Sequence, residues 1–310
     1  MMGHEHIRNI ALLDDTEISV IYEPDPEMRA LALKTLPKTK IVDTLSALLE
    51  HNPLDCLVIV SPNFCHMDQL KEIAQSRPLP ILCEKPLYAD ARDLAAAEEF
   101  SQKYKSLVWV AMEYRYMPPV AAFIDRAAET TGGIKMLTIR EHRFPFLKKV
   151  GDWNRFNRNT GGTLVEKCCH FFDLMTQVIP SKPIRVIASG GQDVNHLDEF
   201  YNGETPDIMD NAYVIVEFAN GARALLDLCM FAEGSRHEQH IAVTGDIGKI
   251  ETTVPGNELI ISNRASNHFK TIQIESDPRI KEQGLHHGAS YLEHLGFIEA
   301  INNGTPPAVT

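Results

Sequence analysis

Between residues 18 and 111, short β-branched apolar runs alternate with stretches of helical periodicity, and this alternation restricts the fold more than any other feature. Residues 18–22 predict a strand, followed by the turn Glu23-Pro24-Asp25-Pro26; Met28, Leu31, Ala32 and Thr35 then share one helix face. Residues 54–60 are apolar almost throughout, as expected of a strand covered on both faces. Predicted helices over 64–75 and 90–104 alternate with strands over 79–83 and 107–111. Such repeats build βαβ units around a parallel sheet. Ligands of these sheets bind at the carboxyl ends of the strands, so the residues that follow each strand carry the chemistry.

Past residue 116 the pattern changes. A helix over 119–129, a strand over 135–144 and a long helix over 162–178 precede strands at 184–189, 211–218, 223–229, 240–244, 258–262 and 270–275. Turn signals such as Ala219-Asn220-Gly221 and Gly245-Asp246 separate them, and a helix over 290–302 closes the pattern. Consecutive strands without helices between them predict a mainly antiparallel sheet. The expected organisation is a parallel α/β domain over 1–115 and an α+β domain over 116–310.

Composition removes several function classes. The 310 residues carry a net charge of -12 with no clustered basic run, which argues against nucleic acid as a partner. No apolar stretch reaches the eighteen or so residues of a membrane span, and the polar first ten residues do not resemble a secretory signal. The six cysteines form no C-x-x-C pair, and Cys168 and Cys169 are adjacent, so reduced thiols in a cytoplasmic protein are expected. His4 and His6 do not share a helix face, and no metal site is expected.

Glu23 stands twenty residues after Gly3, at the end of the first predicted strand. This is the spacing of an acidic residue that binds the adenosine ribose in a dinucleotide fold. Gly3 then reads as the last glycine of G-x-G-x-x-G, the one that permits close helix packing. The earlier glycines and the strand before them are not in the sequence. The Glu23 carboxylate would accept from a ribose 2′-hydroxyl and repel a 2′-phosphate, which predicts NAD over NADP.

Three motifs fall in register with the predicted strand ends: Ser61-Pro62-Asn63-Phe64-Cys65-His66, Cys83-Glu84-Lys85-Pro86-Leu87, and Gly161-Gly162-Thr163 leading to Glu166 and His170. Together they resemble the Gfo/Idh/MocA family of NAD(P)-dependent oxidoreductases, over essentially the whole chain. The resemblance implies a Rossmann domain, a second domain with a large open sheet, and homodimers or homotetramers formed through that sheet. It also implies hydride transfer between NAD(P) and a secondary alcohol of a sugar or cyclic polyol, of the inositol type. Relative to the family pattern, the sequence reads as truncated at both ends, lacking the first strand of the Rossmann domain.

By resemblance, Lys85 is the catalytic lysine and His170 the active-site histidine, with Pro86 following a cis peptide bond. Ser61, Pro62, Asn63, His66, Glu84 and Arg115 join Gly3, Glu23 and Lys85 at the cofactor. Trp153, Asn154, Arg155 and Asn157 form a substrate loop with His170, to which His286 and His287 are further candidates. Glu166 stands where the family commonly has Asp, and Glu113 replaces a usual Asn; its added negative charge disfavours an acidic substrate. The residue chemistry agrees with these roles. Oxidising an alcohol needs a base for the hydroxyl proton and a cation for the developing oxyanion. Glu166 and His170 lie four apart in a predicted helix, where the carboxylate can orient the imidazole. Two alternatives remain open: a non-catalytic dinucleotide-binding or regulatory relative, including a truncated inactive form, and NAD-assisted glycoside cleavage.

Overall fold

The computed structural model describes residues 2–309. It divides into two compact units, one holding the chain up to Met112 and again from Ile280, the other Glu113–Arg279.

The first unit runs α1 (Met2–Leu12), β1 (Val20–Tyr22), α2 (Pro26–Thr35), β2 (Lys40–Val42), α3 (Leu45–Leu49), β3 (Leu57–Ile59), α4 (His66–Ser76), β4 (Ile81–Glu84), α5 (Leu94–Lys103) and β5 (Val108–Ala111). All strand pairs are parallel, but they fall into two sheets, β1-β2 and β3-β4-β5. Local chemistry sets the helix starts. Asp25 caps α2 by accepting from the backbone of Glu27 and Met28, with Pro26 in its first turn, and Thr44 caps α3 through the Ala47 N–H. Leu57, Ile59, Met67, Leu70, Ile73, Ile81 and Phe100 form the core around β3 and β4. The strand β2 and helix α3 were not anticipated, because three and five residues are too short to show a period.

Helix α1 departs from a simple expectation for its position. Its buried residues are Glu5, His6 and Asn9, all polar. Gly3 lies inside this helix, and a Cβ added there would meet nothing within 4 Å, so the close packing expected of that glycine is absent.

The second unit contains α6 (Pro118–Thr131), β6 (Ile134–His142), α7 (Asn157–Thr160), α8 (Thr163–Glu166), α9 (Cys169–Val178), β7 (Pro183–Gly191), β8 (Asn211–Phe218), β9 (Arg223–Cys229), β10 (Gln239–Gly245), β11 (Gly248–Val254), β12 (Glu258–Asn263) and β13 (His268–Gln273). One eight-stranded sheet takes the order β13-β12-β11-β10-β6-β9-β8-β7. Every pairing is antiparallel except β6 with β9, so the sheet is mixed. Strands β8 and β9 alternate strictly: Ala212, Val214, Val216, Ala224, Leu226 and Leu228 are buried, while Tyr213 on the opposite face is 61% exposed. Helix α6 packs against β10, β11 and β12. It ends at Gly132, whose left-handed φ of 71° suits a residue without Cβ.

The helix expected over 162–178 is broken. It starts at Thr163, stops at Glu166, and resumes as α9 at Cys169, because Lys167 and Cys168 interrupt the helical run. Strand β11 was also missed between two recognised neighbours; its polar outward residues Lys249, Glu251 and Thr253 dilute its apolar signal.

The chain then returns to the first unit with α10 (Ala289–Asn303). The helix lies on β5 through the Trp109 indole, which donates to Glu293 at 3.3 Å, and beyond it the Val309 carbonyl accepts from Val110 N–H at 3.4 Å.

Candidate active-site residues

In the first unit the candidate residues sit where the parallel strands end. Ile81, Leu82 and Cys83 of β4 are fully buried, and the strand delivers Glu84 and Lys85 at its carboxyl end. The Lys85–Pro86 peptide bond is cis. Glu84 is 7% exposed, and both its oxygens are engaged: Oε1 lies 2.8 Å from His6 Nε2, and Oε2 accepts from the Lys85 backbone N–H at 3.1 Å. Burial alone would raise the Glu84 carboxyl, but the His6 hydrogen bond and charge, with Lys85 and His286, hold it down to about 2.

His66 holds the other side of the same turn. Its Nδ1 lies 2.8 Å from the Pro86 carbonyl and its Nε2 2.9 Å from the Ser61 carbonyl. Carbonyl oxygens only accept, so two such contacts favour the doubly protonated ring, while complete burial pushes its pKa down. With 0% exposure and both nitrogens directed at backbone, His66 clamps the turn that carries the candidate cofactor residues.

The remaining cofactor candidates are differently placed. Ser61 donates to Gln69 Oε1 at 2.7 Å, and Pro62 opens the turn that leads into α4. Asn63 is 6% exposed and its Nδ2 has no hydrogen-bond partner, so it can donate to a ligand oxygen at this strand end. Glu23 follows β1, and its Oε1 accepts from Asp25 N–H at 2.9 Å, which fixes the carboxylate at the tip of the strand. Arg29 donates to the Glu23 carbonyl and pairs with Asp43 at 2.5 Å, so the nearby cation is already neutralised. A strand-end acid for a ribose diol and an orphaned amide donor fit a dinucleotide at the edge of a parallel sheet.

In the second unit the centre is His170, 1% exposed at the start of α9. Its Nε2 lies 3.3 Å from Glu113 Oε1, and its ring stacks on Tyr114 at 4.6 Å between centroids. The ion pair found for Glu166 is with Lys149, at 2.6 Å. The carboxylate paired with the His170 imidazole is that of Glu113, which comes from a distant segment of the chain. Lys167 donates to the Tyr114 hydroxyl at 2.8 Å and pairs with buried Glu141 at 3.2 Å. Burial and then Glu141 push the Tyr114 phenol far above its ordinary pKa, so it serves this site as a neutral hydrogen-bonding group. Arg115, expected at the cofactor, is committed to Asp173 through a two-pronged ion pair.

The expected substrate loop separates into two roles. Asn154 and Arg155 are buried; one donates to the Leu147 carbonyl at 3.0 Å and the other to Glu199 at 2.9 Å, so they hold the loop. Trp153 has Lys149 Nζ 4.3 Å from its ring centroid and lines an open cavity of about 500 Å³ with Asp152, Phe200 and Tyr201. Asn157 instead bonds to Asp207. His286 contacts Glu5 at 3.3 Å within the first unit. Glu113 stands out in the sequence only as a departure from the family pattern, and Tyr114, Lys167, His6 and His294 carry no local signal for these pairings; burial and pairing reveal them.

Comparison with known proteins agrees with this architecture. The model of an oxidoreductase family's NAD-binding Rossmann fold matches residues 1–112, and the same family's C-terminal alpha/beta domain matches 128–310. An uncharacterised oxidoreductase of Bacillus subtilis, YrbE, is 25% identical over 98% of this chain and 85% of its own length. An inositol 2-dehydrogenase of Rhizobium meliloti is 26% identical over 67% of this chain and 60% of its own length. Among solved structures, levoglucosan dehydrogenase in complex with NADH aligns with a TM-score of 0.83 at 19% identity, covering 99% of this chain and 89% of that one. A putative myo-inositol dehydrogenase from Sinorhizobium meliloti gives 0.76 at 21% identity, covering 99% and 88%. Both domain models match in order and together take in nearly all of the sequence, so the chain belongs to the Gfo/Idh/MocA oxidoreductase family.

Proposed function

We propose that the protein transfers a hydride between NAD and a secondary alcohol of a sugar or cyclic polyol, with His170 as the base and Lys85 as the cation at the reacting oxygen. The observation that supports this most is the buried imidazole of His170 paired with Glu113. A carboxylate at Nε2 selects the tautomer with its proton there, which leaves Nδ1 as the basic nitrogen. In oxidation, the alcohol O–H proton passes to that imidazole as the carbon loses hydride, giving a ketone and a protonated histidine. Glu113 stabilises the imidazolium that forms. Lys85 stabilises the negative charge that develops on oxygen, and Asn63 and Glu23 bind the two ends of the dinucleotide. The nicotinamide ring, when bound, supplies the hydride acceptor.

Glu23 and the Asp43-paired Arg29 favour NAD over NADP, and relatives named inositol 2-dehydrogenase favour a polyol. Exposed Met136, Ile184, Val186 and Tyr213 on the large sheet favour self-association into a homodimer or homotetramer. No helix among the described residues is long and apolar enough to cross a membrane, and we assign the protein to the cytoplasm. The test is NADH formation from a panel of inositols and sugars, with Lys85→Ala and His170→Ala as controls. Activity lost in both variants supports the reading; activity that survives in either removes that residue from the mechanism.

A further inference from the structure

The strand that delivers Lys85 ends in a buried polar chain that the reaction itself does not use. Glu84 accepts from the Lys85 backbone N–H through one oxygen and faces His6 Nε2 at 2.8 Å through the other. His6 Nδ1 in turn lies 2.8 Å from His294 Nε2. His6, Glu84 and His294 are 4%, 7% and 2% exposed, and they come from α1, β4 and α10 of the same unit.

The chemistry of the groups fixes the direction of the chain. An ionised carboxylate only accepts, so His6 donates from Nε2. A neutral His6 then has a lone pair on Nδ1, which requires the proton of His294 Nε2. Each bond therefore constrains the next, from α10 to the backbone of Lys85. A second carboxylate secures the outer members: Glu5 Oε1 accepts from Leu285 N–H and Ser290 Oγ and contacts His286 Nδ1, which ties α1 to the segment entering α10. Burying two carboxylates and two imidazoles is costly unless every group is directed, and an apolar contact would join these helices as well.

We propose that His6 and His294 are positioning residues for Lys85: acting through Glu84, they hold the backbone of the turn that presents the lysine. This rests on the assignment of Lys85 to the reaction, but its test does not depend on turnover. The variants are Glu84→Gln, His6→Leu and His6→Gln. A carboxamide cannot accept at both ends, so Glu84→Gln breaks one link without changing volume, whereas glutamine at position 6 keeps a donor toward Glu84.

Lys85 accessibility is read as its rate of modification by trinitrobenzenesulfonate at fixed pH, followed by peptide mass spectrometry, together with NADH titration by fluorescence. Circular dichroism checks that each variant is folded. Breaking the His6–Glu84 link should change the Lys85 modification rate about threefold or more and weaken NADH binding about tenfold in Glu84→Gln and His6→Leu, with His6→Gln close to wild type. Folded variants with unchanged Lys85 modification would overturn the proposal, as would a His6→Gln variant no better than His6→Leu. Should His6→Leu not fold, Glu84→Gln alone decides. Unchanged activity in Lys85→Ala would instead refute the catalytic role, leaving the modification result to stand on its own.

Discussion

The His170 Nε2 faces Glu113 Oε1 across 3.3 Å, with neither side chain more than 4% exposed. The acidic residue four positions earlier in the chain, Glu166, pairs with Lys149. Comparing these two carboxylates gives the most direct test of the proposed base.

Glu113→Gln should lower the rate of alcohol oxidation by about 10²-fold, the lower end of what a positioned acid–base group contributes. Glu166→Gln should change it by less than about threefold, with any loss appearing in stability. Steady-state NADH formation measures both, and the reverse ranking would return the role to Glu166.

Cofactor choice should follow Glu23. Glu23→Ala removes the group that accepts from a ribose diol and should narrow the preference for NADH over NADPH at least about tenfold. Adding Asp43→Asn releases Arg29 from its ion pair and should shift the balance further toward NADPH. Equal affinity for the two cofactors in the unaltered protein would reject this reading of Glu23.

Asp210 is 2% exposed and accepts from the backbone N–H groups of Asp193, Val194 and Asn195. Burial raises its carboxyl, but these bonds and Asn211 leave it below its ordinary value. A carboxyl with a folded pKa below the unfolded one stabilises the fold above the unfolded pKa, near 3.9. That contribution disappears as pH falls through the folded value. Asp210→Ala should cost about 1–3 kcal/mol at neutral pH, and the gap between variant and wild type should close in acid. A gap in urea midpoints that persists below pH 3 would show that the bonds contribute nothing through ionisation.

Gly132 and Gly221 both adopt positive φ, 71° and 85°. A Cβ at Gly132 would lie 2.8 Å from the Ile247 side chain, whereas at Gly221 it would meet nothing. Both alanine variants should lose about 1 kcal/mol to the left-handed backbone, and Gly132→Ala should lose about 1 kcal/mol more to overpacking. Equal melting temperatures would show that Ile247 yields freely.

Local sequence determined the alternation of strands and helices up to residue 111, the run of strands after residue 184, and the placing of Glu23, Asn63 and Lys85 just after strands. These features follow from period and turn chemistry, which depend on near neighbours. Tertiary structure decided which charged groups meet. Glu113 reaches His170 from 57 positions away, and His294 reaches His6 across 288. It also set both nitrogens of His66 against backbone carbonyls, and gave α1 a buried face of Glu5, His6 and Asn9. A buried ionisable side chain is stable only with a partner, and that partner is supplied by the packing of distant segments. Spacing along the chain carries no record of it, so the fold was legible in the sequence while the pairing at its centre was not.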